Sequence, residues 1–341
     1  MKSVRIITFL VILVLAITSC GLKKPDIQGF RGFTQGTTYS ILYDNNRNIT
    51  PDELREKVEK VLHNFDMSLS NYNDSSVISR MNRNEFVVSD RYFTEVFEKS
   101  LRIWKMTGGA FDITVAPLVT AWGFGPDAHK NFSESKRDSL MKLVGMQKIS
   151  LKDGRLVKSN PAIKLDVNAI AQGYSVDVVC SLFDELGIKN YLIEIGGEVR
   201  AKGTKGGDLW KIGIDKPVDN NMSPGENLQA VIRIGDKALS TSGNYRKFYV
   251  ENGIKYSHTI DPHTGNPAKN TLLSATIIAD DCSTADGIAT ACMVMGKDAS
   301  IEFINQHHEL AAYLVYSDDA GNFLTWSSDR LKDLISERDN E

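Results

Sequence analysis

The stretch that decides the fold is IKLDVNAIAQGYSVDVVCSLFDELGIKNYLIEI, residues 163–195, in which a helix leads into a strand. Apolar residues at positions 167, 171, 174, 178 and 182 recur at helical spacing. This pattern predicts a helix from about Val167 to Leu186 with one buried stripe. Tyr191–Ile195 then has the apolar composition of a strand.

Strands dominate the chain after this helix. The segments with strand composition are Trp210–Ile214, Leu228–Ile234, Tyr245–Val250, Lys255–Ile260, Leu272–Ala279 and Leu310–Tyr316. A second helix, from about Ser283 to Met295, interrupts them. Runs of strands joined by hairpin-like gaps indicate an α+β fold with mainly antiparallel sheets and flanking helices, and argue against a doubly wound parallel sheet.

The first half of the chain is more helical. Thr37–Tyr43 alternates as a strand does. Thr50-Pro51-Asp52-Glu53 has the order of an N-cap, an N1 proline and an N3 glutamate, so it predicts a helix that runs to about residue 66. Further helices are predicted over Ser89–Met106 and Ser133–Val144. A candidate boundary between two subdomains lies near residue 160.

The N-terminus has the pattern of an export signal. Lys2 and Arg5 precede an apolar run over residues 6–16, which is shorter than the roughly 20 residues that a membrane-spanning helix needs. Small residues then lead to Cys20, as in a bacterial lipobox. We therefore expect a signal peptide over 1–19, a lipid on Cys20, a tether over 20–33 and the main domain over 34–335. The alternative is an ordinary signal peptide with a chance cysteine.

Composition excludes some classes of function. The chain has 341 residues and a formal net charge of −3, so there is no basic excess for binding nucleic acid. The cysteines after Cys20 are Cys180, Cys282 and Cys292. An odd number does not make a disulfide framework, and three scattered cysteines make a poor zinc site. Cys180 and Cys292 have apolar neighbours, and we expect them to be buried.

Two candidate site segments precede the strand-rich region. In Gly108–Thr114, a glycine pair allows a ligand to approach the backbone, and Phe111 offers a ring for stacking. A helix-ending turn explains this segment better when it is taken alone. In Leu165–Tyr174, amides at a helix start suit a pyrophosphate, but Asp166 is equally well explained as an N-cap. Gly173 is unfavourable in a helix and indicates a close approach by another group.

Two more segments lie in the second half. In Tyr256–Gly265, His258 has the chemistry to take a proton from a hydroxyl, although a structural histidine is the commoner explanation, and His263 is expected to face solvent. In Cys282–Thr290, Asp286 and Thr290 are four residues apart and share one helix face. Their oxygens suit Mg²⁺ shared with a phosphorylated substrate. The alternative is a helix capped by a serine or threonine at 283–284, with Asp286 favoured by the helix dipole.

Taken together, these segments resemble the ApbE family of lipid-anchored FAD:protein FMN transferases. The matching pieces are residues 35–39, 69–72, 108–114, 166–177, 195–198, 240–243, 258–262 and 285–290, in the family's order and spacing. The resemblance implies an ApbE-like, T-fold-related architecture. It also implies that FAD is bound with Mg²⁺, that AMP leaves, and that FMN is attached through its phosphate to a threonine or serine of an exported protein, such as a subunit of a quinone oxidoreductase.

The resemblance also assigns roles to individual residues. It implies that Asp286 and Thr290 bind Mg²⁺ through side-chain oxygens and that Ala169 does so through its carbonyl. It implies that His258 is the base for the acceptor hydroxyl. The residues it places around FAD are Gln35, Tyr72, Ala110, Phe111, Asp112, Asp166 and Gln172.

Two residues depart from the family pattern. Methionine is common where Gln35 stands, and lysine is common where Gln172 stands, so this chain lacks a positive charge near the ligand. Two alternatives to the transferase stay open from sequence. One is an FAD pyrophosphatase that releases FMN and AMP, and the other is a flavin-binding lipoprotein without turnover.

Overall fold

The structure is a computed structural model that describes residues 25–124, 132–218, 225–244, 248–251 and 254–337. The predicted signal peptide, the lipidation site Cys20 and the first residues of the tether lie outside this range, as does the start of the strand predicted over 245–250. The described helices are α1 Pro51–Leu69, α2 Val77–Asn82, α3 Arg91–Met106, α4 Ala116–Ala121, α5 Glu134–Met141, α6 Asn168–Glu185, α7 Cys282–Met295 and α8 Lys297–Gln306.

The described strands include every strand that the sequence predicts, with small shifts at their ends. They are β1 Ile27–Thr34, β2 Thr37–Asp44, β3 Ile149–Lys152, β4 Arg155–Lys158, β5 Tyr191–Ile195, β6 Glu198–Lys202, β7 Trp210–Asp215, β8 Leu228–Ile234, β9 Lys237–Gly243, β10 Phe248–Glu251, β11 Ile254–Ser257, β12 Leu272–Ala279, β13 Ala311–Ser317, β14 Phe323–Ser327 and β15 Ile335–Glu337.

The fold is built on one large sheet. Within the described residues its strand order is β1-β2-β5-β6-β9-β12-β13-β14, and every neighbouring pair is antiparallel. A smaller antiparallel sheet has the order β15-β8-β7. The predicted α+β class with mainly antiparallel sheets and flanking helices is confirmed.

The large sheet separates two parts of the core. On one face, Ala312 and Leu314 of β13 pack in the cluster that includes residues of α6 and α7. On the other face, Tyr313 and Val315 pack against the smaller sheet, for example against Trp210. Alternate residues of β13 are thus buried on opposite sides, which is why the strand is apolar throughout.

The predicted tether is shorter than expected. Residues 27–34 form the edge strand β1, which pairs with β2 through a tight turn at Gln35 and Gly36, both with positive φ. Only Phe30 of this strand is buried, and it packs edge-to-face on Tyr39. Because β1 lacks the alternating apolar pattern of a half-buried strand, its sequence gives little signal.

The three cysteines in the described residues are free and buried, and this confirms the burial predicted for Cys180 and Cys292. Among the described helices, none is both long enough and apolar enough to cross a membrane.

The start of α7 is fixed by two carboxylates. Asp281 is its N-cap and accepts a hydrogen bond from the Thr284 amide at 3.0 Å, so the cap is neither Ser283 nor Thr284. Asp177, in the middle of α6, accepts hydrogen bonds from the amides of Cys282 at 2.8 Å and Ser283 at 2.9 Å. Arg200 of β6 donates to the same carboxylate at 3.0 Å.

Burial, and then the charge of Asp281, raise the pKa of Asp177, while its hydrogen bonds from Cys282 and Ser283 lower it. A buried carboxylate is stabilised by its hydrogen bonds only while all of its donors are in place, because a partly satisfied buried network is costly. Asp177 therefore ties the first turn of α7 to the middle of α6.

We expect Asp177→Ala to lower the free energy of unfolding by about 3–5 kcal/mol, because it leaves Arg200 and two amides of α7 without their acceptor. The measurement is urea unfolding followed by circular dichroism. Glu185→Ala, at an exposed position of the same helix, is the control and should change stability by less than about 0.5 kcal/mol. Equal effects of the two substitutions would contradict this role for Asp177.

Candidate functional site

The structure brings the second and fourth candidate segments into direct contact. The amide of Gly173 on α6 donates to Asp286 Oδ2 on α7 at 2.9 Å. A Cβ atom on Gly173 would lie 2.5 Å from the Cys282 carbonyl oxygen and 2.8 Å from the Asp286 Cβ. The close approach that Gly173 indicates in the sequence is therefore the approach of a helix, not of a ligand.

The first segment joins this pair. The amide of Asp166 donates to the Ile113 carbonyl at 2.7 Å, which fixes the residues before α6 against the Gly108–Thr114 segment. A Cβ atom on Gly287 of α7 would lie 3.4 Å from the ring of Phe111. The first, second and fourth segments thus form one packed unit.

The third segment reaches the same region by two routes. His263 Nε2 lies 3.0 Å from the Gly108 carbonyl oxygen. On the other side, Thr290 Oγ1 lies 3.2 Å from Ser242 Oγ, and Asn244, two residues further on, accepts a bond from Thr259 Oγ1 at 3.5 Å. These contacts bring His258, which precedes Thr259, into the neighbourhood of the Asp286 face of α7.

The register of α6 against α7 places the predicted metal ligands opposite each other. Asp177 meets Cys282, and Gly173 meets Asp286, so each step of four residues back along α6 matches four residues forward along α7. Continued by one further turn, this register predicts that Ala169 lies opposite Thr290. Both segments are continuous α-helix over this range, so residues four apart on either helix stay about one turn apart.

The Ala169 carbonyl is also prepared for a ligand. Its ordinary helical partner is the amide of Gly173, four residues on. That amide donates to Asp286 Oδ2, so the Ala169 carbonyl at most shares its donor. Asp286 itself is 5% exposed, and burial raises its pKa to about 7, while the hydrogen bond from Gly173 lowers it.

This donor set fits Mg²⁺. Among the residues that the structure describes, no group of three or more histidine, cysteine, aspartate or glutamate side chains converges as a metal site. The set at α6 and α7 instead offers one carboxylate, one hydroxyl and one backbone carbonyl. Such a sparse set of hard oxygens suits Mg²⁺, which keeps open positions for water and substrate phosphates.

Asp166 lies at the entrance to α6. The helix begins at Asn168, and Asp166 Oδ1 accepts a bond from the Asn168 amide at 2.9 Å and one from Asn71 Nδ2 at 3.4 Å. The neighbouring Tyr72 is 68% exposed, and its pKa is raised by partial burial and then by the charge of Asp166. Tyr72 thus presents an open aromatic surface beside the helix start.

Gln35 and Gln172 flank the same helix start from the sheet side. The Gln172 amide nitrogen lies against Gly196, where a Cβ atom would approach it to 2.0 Å. The amide of Gly196 in turn donates to Thr38 of β2, which follows the Gln35 turn. Gln35 Nε2 is buried and has no hydrogen-bond partner in the part of the chain that the structure describes. An orphaned donor of this kind is one that a bound ligand can satisfy.

The side chains of the Gly108–Thr114 segment are structural in this fold. Phe111 is 1% exposed and packs in the core, so its ring is not available for stacking on a ligand, contrary to our expectation. Ala110 is buried as well, and Asp112 caps a short 3₁₀ turn by accepting from the Thr114 amide at 2.8 Å. Gly108 and Gly109, both with positive φ, form the turn after α3. Any contact of this segment with a ligand is through its backbone.

His258 directly follows β11 and is partly buried, with the ring of Phe124 edge-on at 6.4 Å. The turn after it is held by a bridge between Ile260 and Pro267 and by Trp122 Nε1, which donates to the Gly265 carbonyl at 2.8 Å. His263 is exposed, as expected, yet it also contacts Asp261 and the Gly108 carbonyl. The His258 segment is therefore anchored at both ends.

One residue of this region was missed from the sequence. Glu198 follows a turn formed by Gly196 and Gly197, both of which have positive φ. Glu198 is 8% exposed, and its Oε2 has no hydrogen-bond partner among the described residues. A glutamate at the first position of a strand gives no sequence signal of such burial.

Comparisons with known proteins identify the family to which the chain is similar. Residues 35–314 match the model of the ApbE family. The chain is 35% identical to the FAD:protein FMN transferase of Vibrio cholerae serotype O1, over 96% of this chain and 99% of that protein. It is 34% identical to the protein of the same name in Escherichia coli K12, over 84% of this chain and 83% of that protein.

Solved structures agree. The flavin transferase ApbE from Vibrio cholerae superposes with a TM-score of 0.81 at 33% identity, over 91% of this chain and 99% of that one. The apo form of the Pseudomonas stutzeri flavinyl transferase ApbE gives a TM-score of 0.81 at 31% identity, over 92% of this chain and 98% of that one.

We expect Gly173→Ala to be less stable than Gly287→Ala by about 1–3 kcal/mol. Alanine brings the same gain in helix propensity at both positions, but at 173 its Cβ meets backbone, whereas at 287 it meets the end of the flexible Ile103 side chain. Chemical unfolding of both variants measures the difference. Equal stabilities would show that α6 and α7 are not held at the observed distance.

Proposed function

This chain belongs to the ApbE family and is a transferase enzyme, and we propose that it cleaves the pyrophosphate of FAD with the help of Mg²⁺, releases AMP and attaches FMN through a phosphoester bond to a threonine or serine of an exported protein. The observation that carries this proposal is the contact between α6 and α7. In it the Gly173 amide of α6 holds the Asp286 carboxylate of α7, and Thr290 follows one turn further along α7, which supports a cation site formed with the Ala169 carbonyl.

The start of α6 provides the binding place for the pyrophosphate. The positive end of the helix dipole favours phosphate oxygens at such a position. Mg²⁺ held by Asp286, Thr290 and Ala169 would neutralise the pyrophosphate and stabilise the charge that develops on the leaving phosphate. Asp286 is held in place by the amide of Gly173, so its orientation does not depend on the metal.

His258 is proposed as the base that takes the proton from the acceptor hydroxyl. Imidazole is the side-chain group whose ordinary pKa lies closest to physiological pH. In its neutral form it can accept this proton as the hydroxyl attacks phosphorus. The assignment is supported by the partly buried position of His258 and by the bond from the neighbouring Thr259 to Asn244, two residues beyond the Ser242 that contacts Thr290.

The flavin is proposed to lie between the Gln35 turn and the exposed ring of Tyr72. Gln35 Nε2 has an unsatisfied hydrogen to donate, and Tyr72 offers a face for stacking. Asp166 and Gln172 border the same space from α6. The chain has glutamine where a lysine is common at 172, so fewer positive charges contact the phosphates, which favours weaker binding of FAD than a lysine would give.

We further propose that Cys20 carries a lipid that holds the enzyme on the outer side of a bacterial membrane. Its acceptors there would be exported subunits of redox complexes of the quinone oxidoreductase type. The charge, length and small residues of the N-terminal segment support this location.

The direct test mixes the purified chain with FAD, Mg²⁺ and a candidate acceptor domain, and analyses the products by mass spectrometry. An FMN adduct on a threonine or serine of the acceptor supports the transferase. Free FMN and AMP without an adduct would mean that the chain is a pyrophosphatase, and unchanged FAD would leave only a binding protein.

We expect Asp286→Asn to reduce Mg²⁺-dependent turnover of FAD by at least about 100-fold, because it removes the only side-chain carboxylate assigned to the metal. Asp298→Asn, which removes a carboxylate at an exposed position of α8, is the control and should retain activity. The readout is AMP release at a series of Mg²⁺ concentrations. Full activity of Asp286→Asn would remove Asp286 from the metal site.

We expect His258→Asn to slow formation of the FMN adduct by about 10²–10⁴-fold, the usual contribution of a general base, while FAD still binds. Flavin fluorescence measures binding and mass spectrometry measures the adduct. His63→Asn, on the exposed face of α1, is the matched control. Loss of FAD binding in His258→Asn would indicate a structural histidine instead of a base.

A further inference from the structure

Glu198 is a buried acid that the proposed mechanism does not use. It begins β6, which lies between β5 and β9 in the large sheet. Its side chain is 8% exposed. The Ser240 hydroxyl of β9 lies at 3.5 Å from Oε1, a long contact, and Oε2 has no hydrogen-bond partner among the described residues.

The surroundings of Glu198 are acidic. Helix α7 packs over β6 and β9: Cys282 Sγ lies 3.5 Å from the Val199 carbonyl oxygen, and Thr290 Oγ1 lies 3.2 Å from Ser242 Oγ. Asp286 is midway between these two contacts, which puts it on the side of Glu198. Burial, and then the charge of Asp286, raise the pKa of Glu198, and the charge of Glu194 adds to this effect. The nearest arginine along β6, Arg200, is already bound to Asp177.

A carboxyl group in such a place is costly. Most buried polar atoms in proteins have a hydrogen-bond partner, and a buried carboxylate needs either a proton or a cation. A leucine or methionine would fill the same volume without this cost. The arrangement is reasonable if a cation occupies the space beside Asp286 and compensates both acids.

We propose that Glu198 is the second carboxylate of the cation site, where it adds negative charge beside Asp286 and so strengthens the binding of Mg²⁺. This inference rests on the proposed function, which assigns Mg²⁺ to Asp286, Thr290 and Ala169. The cation site then includes the large sheet as well as the two helices, because Glu198 is the first residue of β6. Without the cation, the two buried carboxylates repel each other. When Mg²⁺ is bound, its two positive charges neutralise both of them.

The test replaces Glu198 with glutamine, which keeps the shape and removes the charge. Two quantities are measured on the full chain after its metal has been stripped with EDTA. One is the dissociation constant of Mg²⁺ by isothermal titration calorimetry, and the other is the melting temperature without metal and with saturating Mg²⁺. Asp280→Asn is the control, because it removes one negative charge at a 75% exposed position just before α7.

We expect Glu198→Gln to weaken Mg²⁺ binding about tenfold, since a neighbouring charge in a partly buried site contributes on this scale. We also expect it to raise the melting temperature of the metal-free protein, because the repulsion with Asp286 is gone. Asp280→Asn should change neither quantity appreciably. A purely structural Glu198 would give the opposite pattern, with a lower melting temperature and unchanged Mg²⁺ affinity.

The outcomes separate the inference from the proposed function. If the wild-type chain binds Mg²⁺ and Glu198→Gln binds it equally well, the role of Glu198 is overturned and the metal site stands. If neither the wild type nor the variant binds Mg²⁺, the metal site itself is overturned, and the role of Glu198 with it. Should glutamine prevent folding, Glu198→Asp keeps the charge on a shorter side chain and should retain more Mg²⁺ affinity than Glu198→Ala.

Discussion

The contact between α6 and α7 is the constraint on which the rest of the site depends. It is made possible by the absence of a side chain at Gly173, because a single methyl group there would collide with the Cys282 carbonyl. The same approach allows the Gly173 amide to hold Asp286 and allows Asp177 to hold the first amides of α7. One backbone distance therefore sets both the stability of the helix pair and the position of a buried carboxylate.

This contact also explains why the site needs so few residues. The two clamps, Asp177 with Cys282 and Gly173 with Asp286, lie one helical turn apart on each helix. The same register, continued by one turn, predicts that Ala169 faces Thr290. A rigid pair of helices positions side chains more accurately than loops do, which favours the proposed metal site at this contact.

Regular secondary structure could be predicted from the sequence because burial imposes a period on it. Leu228–Ile234 and Leu272–Ala279 are strands with the predicted bounds, since most of the residues in each are apolar and pack in the core. The edge strand β1 was not predicted, because only Phe30 is buried in it. Phe111 was misjudged for a related reason: a phenylalanine beside a glycine pair looks the same in a sequence whether it faces a ligand or the core.

The site itself could be predicted only in part, because its decisive interactions are between residues far apart in the chain. Asp286 and Thr290 share a helix, so their spacing is visible in the sequence. The link from Asp286 to Gly173 spans 113 residues, and the burial of Glu198 depends on α7 lying over β6, so neither follows from a local pattern.

Two of the buried polar atoms that have no partner among the described residues, Gln35 Nε2 and Glu198 Oε2, lie on the two hairpin regions beside the start of α6. The protein tolerates them because the Asp177 network and the core around it already fix the surrounding chain. The proposed flavin and metal would satisfy these two groups, while Asp177, the equally buried acid nearby, has every donor it needs.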